Sequence, residues 1–397
     1  MNSRDRIFRV LAYGFVLLGM GLTALSVTWP SVAEDLDRSL AELGLVTLCF
    51  GSGYTLSTLV SGRLADHASI GRLLLGAAVT AMAGLAALAI APSWPLYLAA
   101  AGALGLSGGL IDAATNTYVA IRRGARQMGF IHGSFGIGAI AGPLLVTGLL
   151  ALGASWRMAF GALAVAQIVY ILGLGRFAGQ ISVPTSKEGD RATTGSLWSA
   201  TLFWSLAVFF LYAGIASGAG VWAFTLLTEE RGIAESAGGV AVAAYWGGFT
   251  ASRFLLGFVG DRVKPDHVLR WSAIATAAGF AVFWWNPTPA VGVVALIFAG
   301  FAHGPVFPLE VLLTPRRFGA ALTATVVGYE IAAANVGGAL LPGVMGFFVD
   351  RAGLEVVPPI LFVNALLLLA AIEALRLTSR AEIRRLSAAS RAQPPKR

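Results

Sequence analysis

Apolar residues in this chain come in long blocks, not in the strict alternation of a half-buried strand. Stretches of about 20 residues with few charges recur almost from end to end, each long enough to cross a bilayer as a helix. Twelve are predicted, at 7–30, 41–62, 71–91, 95–121, 128–153, 157–177, 199–225, 235–259, 267–286, 288–315, 318–347 and 357–377. Most are separated by short polar turns. A longer break, GRFAGQISVPTSKEGDRATTGS, follows the sixth and reads as a linker. A basic tail, SRAEIRRLSAASRAQPPKR, follows the twelfth and reads as a short helix that frays. The expected class is an all-α polytopic membrane protein. Its expected layout is a six-helix bundle at 1–178, a cytoplasmic linker at 179–197, a second six-helix bundle at 198–377 and a basic cytoplasmic tail at 378–397.

Composition agrees: 57% of the 397 residues are hydrophobic and 12% charged, too little charge to cover a soluble protein of this size. The net charge of +8 would raise the question of nucleic acid in a soluble protein. Here topology explains it, and no nucleic-acid partner is expected. With the N-terminus inside, the internal segments hold twenty-three basic residues; the external loops hold only Arg38, Arg157, Arg231 and Arg351. That asymmetry obeys the positive-inside rule and puts both termini in the cytoplasm. The first apolar run continues to about residue 30 and reads as a spanning helix, not a cleavable leader. With no N-x-Ser/Thr acceptor in the chain, a bacterial inner (plasma) membrane is the expected home. A single cysteine, Cys49, allows no internal disulfide, and four scattered histidines give no metal site. Neither a cofactor motif nor a nucleophile–base pair is found, so no cofactor and no enzyme activity are expected.

The chain repeats. GRLAD at 62–66 and GFVGD at 257–261 close the second and eighth spans, 195 residues apart. Gly105 and Gly109 meet Gly300 and Gly304 at the same offset. Six spans followed by six in the same orientation make a parallel, pseudo-symmetric repeat about an axis along the membrane normal.

Three acids lie well inside spans: Asp112, Glu310 and Glu330. Such residues face a bundle interior or water and are functional candidates. Asp112 is ten residues from Arg122, about 15 Å along a helix and so near the midplane, with Asn116 one turn away on the same face. Carboxyl groups taken out of water hold a proton more readily, so Asp112 is read as the proton-coupling group. The competing reading is a helix–helix hydrogen bond or a pair with a distant arginine. Glu330 lies about 20 Å from Arg317 along its helix, with Asn335 about a turn beyond; coupling and substrate binding are both open to it. Glu310, only about 9 Å from Arg316, is read as half of a gate ion pair. His132 is an interhelical donor or a proton relay. Arg253, basic inside a span, either snorkels or braces a carboxylate, in a structural or gating role. Asp66 and Asp261 are read as loop-end acids that cap helices and lock a gate, with Arg72 and Arg262 beside them.

A substrate site inside such a bundle would be lined by polar and aromatic side chains. Candidates are Asn116, Asn335, Tyr212, Tyr245, Trp246, Tyr329 and Trp222. Trp222 and Trp29 are equally placed for an aromatic belt, and Trp284–Trp285 read as belt residues. Gly304–Pro305 and Pro308 should interrupt the tenth helix.

GRLADHASIGR after the second span resembles the signature loop of the major facilitator superfamily, with GFVGDR as its second copy. Asp66 and Gly71–Arg72 stand farther apart here than in the signature, and His67 replaces its basic residue. Within that superfamily the chain is most similar to the fucose-permease-like group of proton-coupled sugar transporters. DAATNTY in the fourth span, FIHGSFGIGAIAGP in the fifth and YWGGFTASRFLLG in the eighth carry the resemblance. It implies a twelve-helix major facilitator fold, usually monomeric, working by alternating access around a central site. The group's fourth-span acid and the Asn four residues on match Asp112 and Asn116. Ser26 stands where the fucose permease has a second acid, and Ala216 where many relatives have a seventh-span acid. The expected function is symport of a proton with a monosaccharide or similar small hydroxylated solute. A proton-driven exporter of drugs or metabolites, or an uncoupled facilitator, is the alternative.

Overall fold

The computed structural model describes residues 3–183 and 199–392. Among the described residues lie twelve α-helices: α1 Ser3–Asp35, α2 Leu43–His67, α3 Ile70–Ile90, α4 Trp94–Arg122, α5 Ala125–Ala151, α6 Trp156–Phe177, α7 Ala200–Thr225, α8 Glu235–Val259, α9 Pro265–Trp285, α10 Pro289–His303, α11 Val306–Ala352 and α12 Val357–Ala392. No strand occurs among the described residues. The caps follow local chemistry. Ser69, Ser155, Ser199 and Thr288 each accept a hydrogen bond from a backbone N–H of the helix they open. Pro265 and Pro289 sit at first helical positions, where a missing N–H costs nothing.

Among the described residues ten stretches are long and apolar enough to cross a membrane. The difference from twelve has two causes. The tenth and eleventh predicted spans fall in one stretch, Pro289–Ala352. α8 is not among the ten, its hydropathy being diluted by glycines, Tyr245–Trp246 and Arg253. Within Pro289–Ala352 the helix breaks at Gly304–Pro305, as expected. Pro308 does not interrupt it, because it falls in the first turn of α11. A second break lies at Gly319, whose φ of 78° and ψ of 158° belong to a region essentially reserved for glycine. The tenth span therefore ends at Phe318, three residues later than expected. Of the linker, 184–198 lie outside the described residues. Its opening residues fold back, with Gly71 N–H donating to Ile181 O at 2.9 Å. The helix expected in the tail is continuous with α12, which runs unbroken to Ala392; residues 393–397 lie outside the described residues.

Contacts divide the chain into two compact units: Met1–Thr185 with Thr323–Gly328, and Ser186–Leu322 with Tyr329–Arg397. In the first, α1 packs on α5 and α6, α2 on α4, and α3 on α4 and α6. The second repeats the pattern: α8 packs on α10, α9 on α10 and α12, and α7 on α12. α7 also meets α11, where Trp222 Nε1 donates to Pro342 O at 3.0 Å.

The repeat extends to individual contacts. A side chain at Gly105 would meet the Phe50 carbonyl; at Gly300 it would meet the Tyr245 carbonyl. Gly53 faces Gly102 O as Gly248 faces Ile297 O. Gly109 lies against Tyr54 O and Ser57 Oγ as Gly304 lies against Phe249 O and Ser252 Oγ. Each pair is separated by 195 residues, so the offset in sequence is also an offset in packing.

One end of the first unit holds an aromatic core of Trp29, Tyr97, Trp156 and Phe160. Trp29 is enclosed here, its Nε1 donating to Leu40 O at 2.9 Å, so it belongs to no lipid belt. Arg157 clamps this end, its guanidinium over the Trp156 ring and bonded to Asp35 Oδ2 at 2.6 Å. Arg231 clamps the second unit with a bidentate pair to Glu355 at 2.7 and 2.8 Å. Trp284 and Trp285 are 49% and 75% exposed, as belt residues are.

Candidate functional site

In the first unit a chain of polar side chains runs from α2 through α4 to α5. Tyr54 donates its hydroxyl to Asp112 Oδ2 at 2.6 Å. Asn116 Nδ2 donates to Asp112 Oδ1 at 2.6 Å, the i to i+4 spacing putting both on one helical face. His132 Nε2 lies 3.1 Å from Asn116 Oδ1. All but Tyr54 are nearly enclosed. The hydrogen-bond network fixes the direction of this chain. Because the Asn116 amide nitrogen faces the carboxyl, its oxygen faces His132, and Nε2 of the imidazole must carry the proton. Each of these donors points toward Asp112. An amide cannot reverse without flipping, whereas a hydroxyl rotates freely. A proton arriving on the carboxyl therefore fits best on Oδ2, with the Tyr54 oxygen turning to accept it.

The second unit holds two clusters. In one, Glu330 is fully buried and accepts from Ser205 Oγ at 2.6 Å and Thr314 Oγ1 at 2.9 Å. Both partners are rotatable hydroxyls, so this carboxyl can be satisfied with or without its proton. Glu310, also fully buried, pairs with Arg317 at 2.5 Å. That is the expected ion pair, although Arg317 lies on the same helix, not in a loop.

The other cluster surrounds Arg253, which is 7% exposed. Its Nη2 donates to the Tyr212 hydroxyl at 2.8 Å, its Nε to Gly304 O at 3.2 Å, and its guanidinium lies 4.2 Å from the Phe249 ring centre. It neither snorkels nor braces a carboxylate. It holds a tyrosine and the carbonyl freed where the helix breaks. His303 stacks on the Tyr212 ring at 4.4 Å and donates from Nε2 to the Tyr212 carbonyl at 2.9 Å.

The sequence profile of the Major Facilitator Superfamily matches residues 11–238 and 223–397. The chain belongs to that superfamily. Among relatives of this major facilitator protein, the sodium-dependent glucose transporter 1A of Mus musculus is 24% identical over 375 residues, spanning 84% of this chain and 87% of the relative. The hexuronate transporter of Bacillus subtilis is 24% identical over 387 residues, spanning 89% and 90%. Among solved structures, the transporter FucP in its outward conformation aligns with a TM-score of 0.77 at 16% identity, covering 92% of this chain and 97% of that one. The proton:xylose symporter XylE, bound to 6-bromo-6-deoxy-D-glucose, aligns at 0.76 with 13% identity, covering 93% and 95%. These structures share the fold. The chain is thus a transporter and not an enzyme.

The remaining candidates in this major facilitator protein are scattered. Tyr245 is fully enclosed, its hydroxyl 3.5 Å from Ala216 O and its ring against Gly300. Trp246, 39% exposed, sets its ring edge-to-face with Tyr245 and Phe249. Tyr329 and Asn335 are half-buried, and the Asn335 amide nitrogen has no partner among the described residues. Asp66 does not cap α3, and Asp261 does not cap α9. Asp66 lies in the last turn of α2, and α3 is capped by Ser69, whose oxygen is bonded by Arg72 N–H. Asp261 and Arg262 lie in a tight turn before α9, which opens without a side-chain cap. Tyr54, Ser205, Thr314 and His303 were not foreseen. Each is an ordinary residue in an apolar run, and only the fold brings it to its partner.

Proposed function

We propose that this chain moves a proton together with a monosaccharide or similar small hydroxylated solute, by alternating access, with Asp112 as the proton-carrying group. The observation that carries the reading is the directed chain His132–Asn116–Asp112–Tyr54. It gives one enclosed carboxyl a rotatable hydroxyl on one oxygen and a fixed amide on the other. Such an arrangement can exist with or without the proton while leaving no buried group unpaired. Glu330, between two hydroxyls, is a second proton site or a substrate contact. The Asn335 amide, without a partner among the described residues, and the Tyr329 ring on the same helix are the donor and the flat apolar face offered to a sugar in this reading. The glucose, hexuronate and xylose transporters among the relatives support the solute class. In this reading the protein works as a monomer in a bacterial inner membrane, with two six-helix halves joined by a cytoplasmic linker and both termini in the cytoplasm.

The test uses purified protein in liposomes with a trapped pH dye. Monosaccharides, polyols and cationic drugs are added outside to wild type, Asp112→Asn and Glu330→Gln. Acidification of the lumen with one sugar, lost in Asp112→Asn, is the expected result. Alkalinisation with a drug would make the protein an exporter. Solute uptake without a pH change, equal in wild type and Asp112→Asn, would make it an uncoupled facilitator.

A further inference from the structure

A groove of about 600 Å³ opens on the second unit between α8, α9 and α10, and neither Glu310 nor Glu330 is among the residues that line it. Leu255, Trp271, Phe298 and Phe301 wall it, and all four remain exposed, between 38% and 67%, facing outward into the surroundings of the unit. At one end the apolar walls give way to Arg262, Lys264 and His267. The two acids of this turn, Asp261 and Asp266, are not among the residues that line it. Arg262 and Lys264 have no carboxylate partner among the described residues. An apolar trough ending in unpaired basic groups matches a molecule with a hydrocarbon tail and an anionic head. We propose that this groove is a binding site for an anionic phospholipid, its acyl chain against Trp271 and Phe298 and its phosphate at Arg262 and Lys264.

The feature is specific to this half of the chain. At the 195-residue offset Trp271 corresponds to Gly76, Phe298 to Ala103, Arg262 to His67 and Lys264 to Ser69. The first copy therefore lacks the Trp271 and Phe298 rings and the Arg262–Lys264 pair, while Leu106 stands in the place of Phe301 and Arg72 in that of His267. Any bundle surface meets bulk lipid, but bulk contact needs no such pairing of wall and rim. A free phosphate is a poor occupant, because it would leave the apolar length of the groove unused.

Trp271 provides the probe. Full-length protein is placed in phosphatidylcholine nanodiscs doped with either acyl-brominated phosphatidylglycerol or acyl-brominated phosphatidylcholine. The Trp271 contribution is taken as the difference between wild type and Trp271→Phe. Brominated phosphatidylglycerol should quench it at a several-fold lower mole fraction than brominated phosphatidylcholine. Arg262→Gln and Lys264→Gln should each raise the half-quenching mole fraction roughly fivefold. Ala275→Leu, which fills the groove and leaves the charges in place, should also abolish the preference. Equal quenching by the two lipids would overturn the proposal, as would a preference that survives Arg262→Gln with Lys264→Gln. Monodisperse elution of each variant separates loss of the site from loss of the fold.

Discussion

Asn116 sets the polarity of the first unit's hydrogen-bond chain, and Tyr54 is the member able to reverse its role. Tyr54→Phe should therefore damage coupling more than folding. Removing a hydrogen bond to an ionisable group costs about 1.5–3 kcal/mol, so proton-driven accumulation should fall roughly tenfold or more. Counterflow exchange, which needs no net proton release, should persist, and the two assays on one proteoliposome preparation separate the effects. Half of this site was legible in the sequence. Asp112, Glu310 and Glu330 stand out because a carboxyl in an apolar run demands an explanation. Tyr54 carries no such mark. It lies 58 residues from Asp112, and a tyrosine among apolar residues reads as packing. Ser205 and Thr314 were invisible for the same reason. Arg253 was noticed but given the wrong kind of partner, because its neighbours are a hydroxyl, a carbonyl and a ring.

At the scale of elements, α2 approaches α4, and α8 approaches α10, through glycines that leave no room for a methyl group. Gly105→Ala and Gly300→Ala should each cost about 1–3 kcal/mol by overpacking against a backbone carbonyl. Gly76→Ala, which meets open space, should cost nothing. Thermal unfolding in detergent, followed on all three, checks the order. Helix edges were mostly readable within a few residues, since apolar length fixes them. The failure came at TPRRFG, where Pro315 and two arginines look like a loop. The helix continues through them because Glu310 and Arg317, seven residues apart, meet on one face and hold the last turns. Gly319 then ends it with a backbone conformation that no side chain tolerates well.

For the whole molecule, the basic residues predict the orientation. A phosphatase that works only outside the cytoplasm should be silent when fused after residue 397, and a fluorescent protein fused there should be bright. The same phosphatase inserted at Gly153, between α5 and α6, should be active. The two-part repeat was legible from one offset because glycine positions record helix contacts directly. What each copy does with those contacts was not legible. Tyr54 and Asp112, the hydrogen-bonded pair, occupy the places that Phe249 and Phe307 take 195 residues later, where both rings lie against Tyr212. The molecule has in effect kept a duplicate of its own scaffold and given the copies different trades. One position became a hydrogen-bonded hydroxyl–carboxyl pair and its twin an aromatic one. Each half is thus a natural control for the other, and the first question to put to any residue here is what its twin has become.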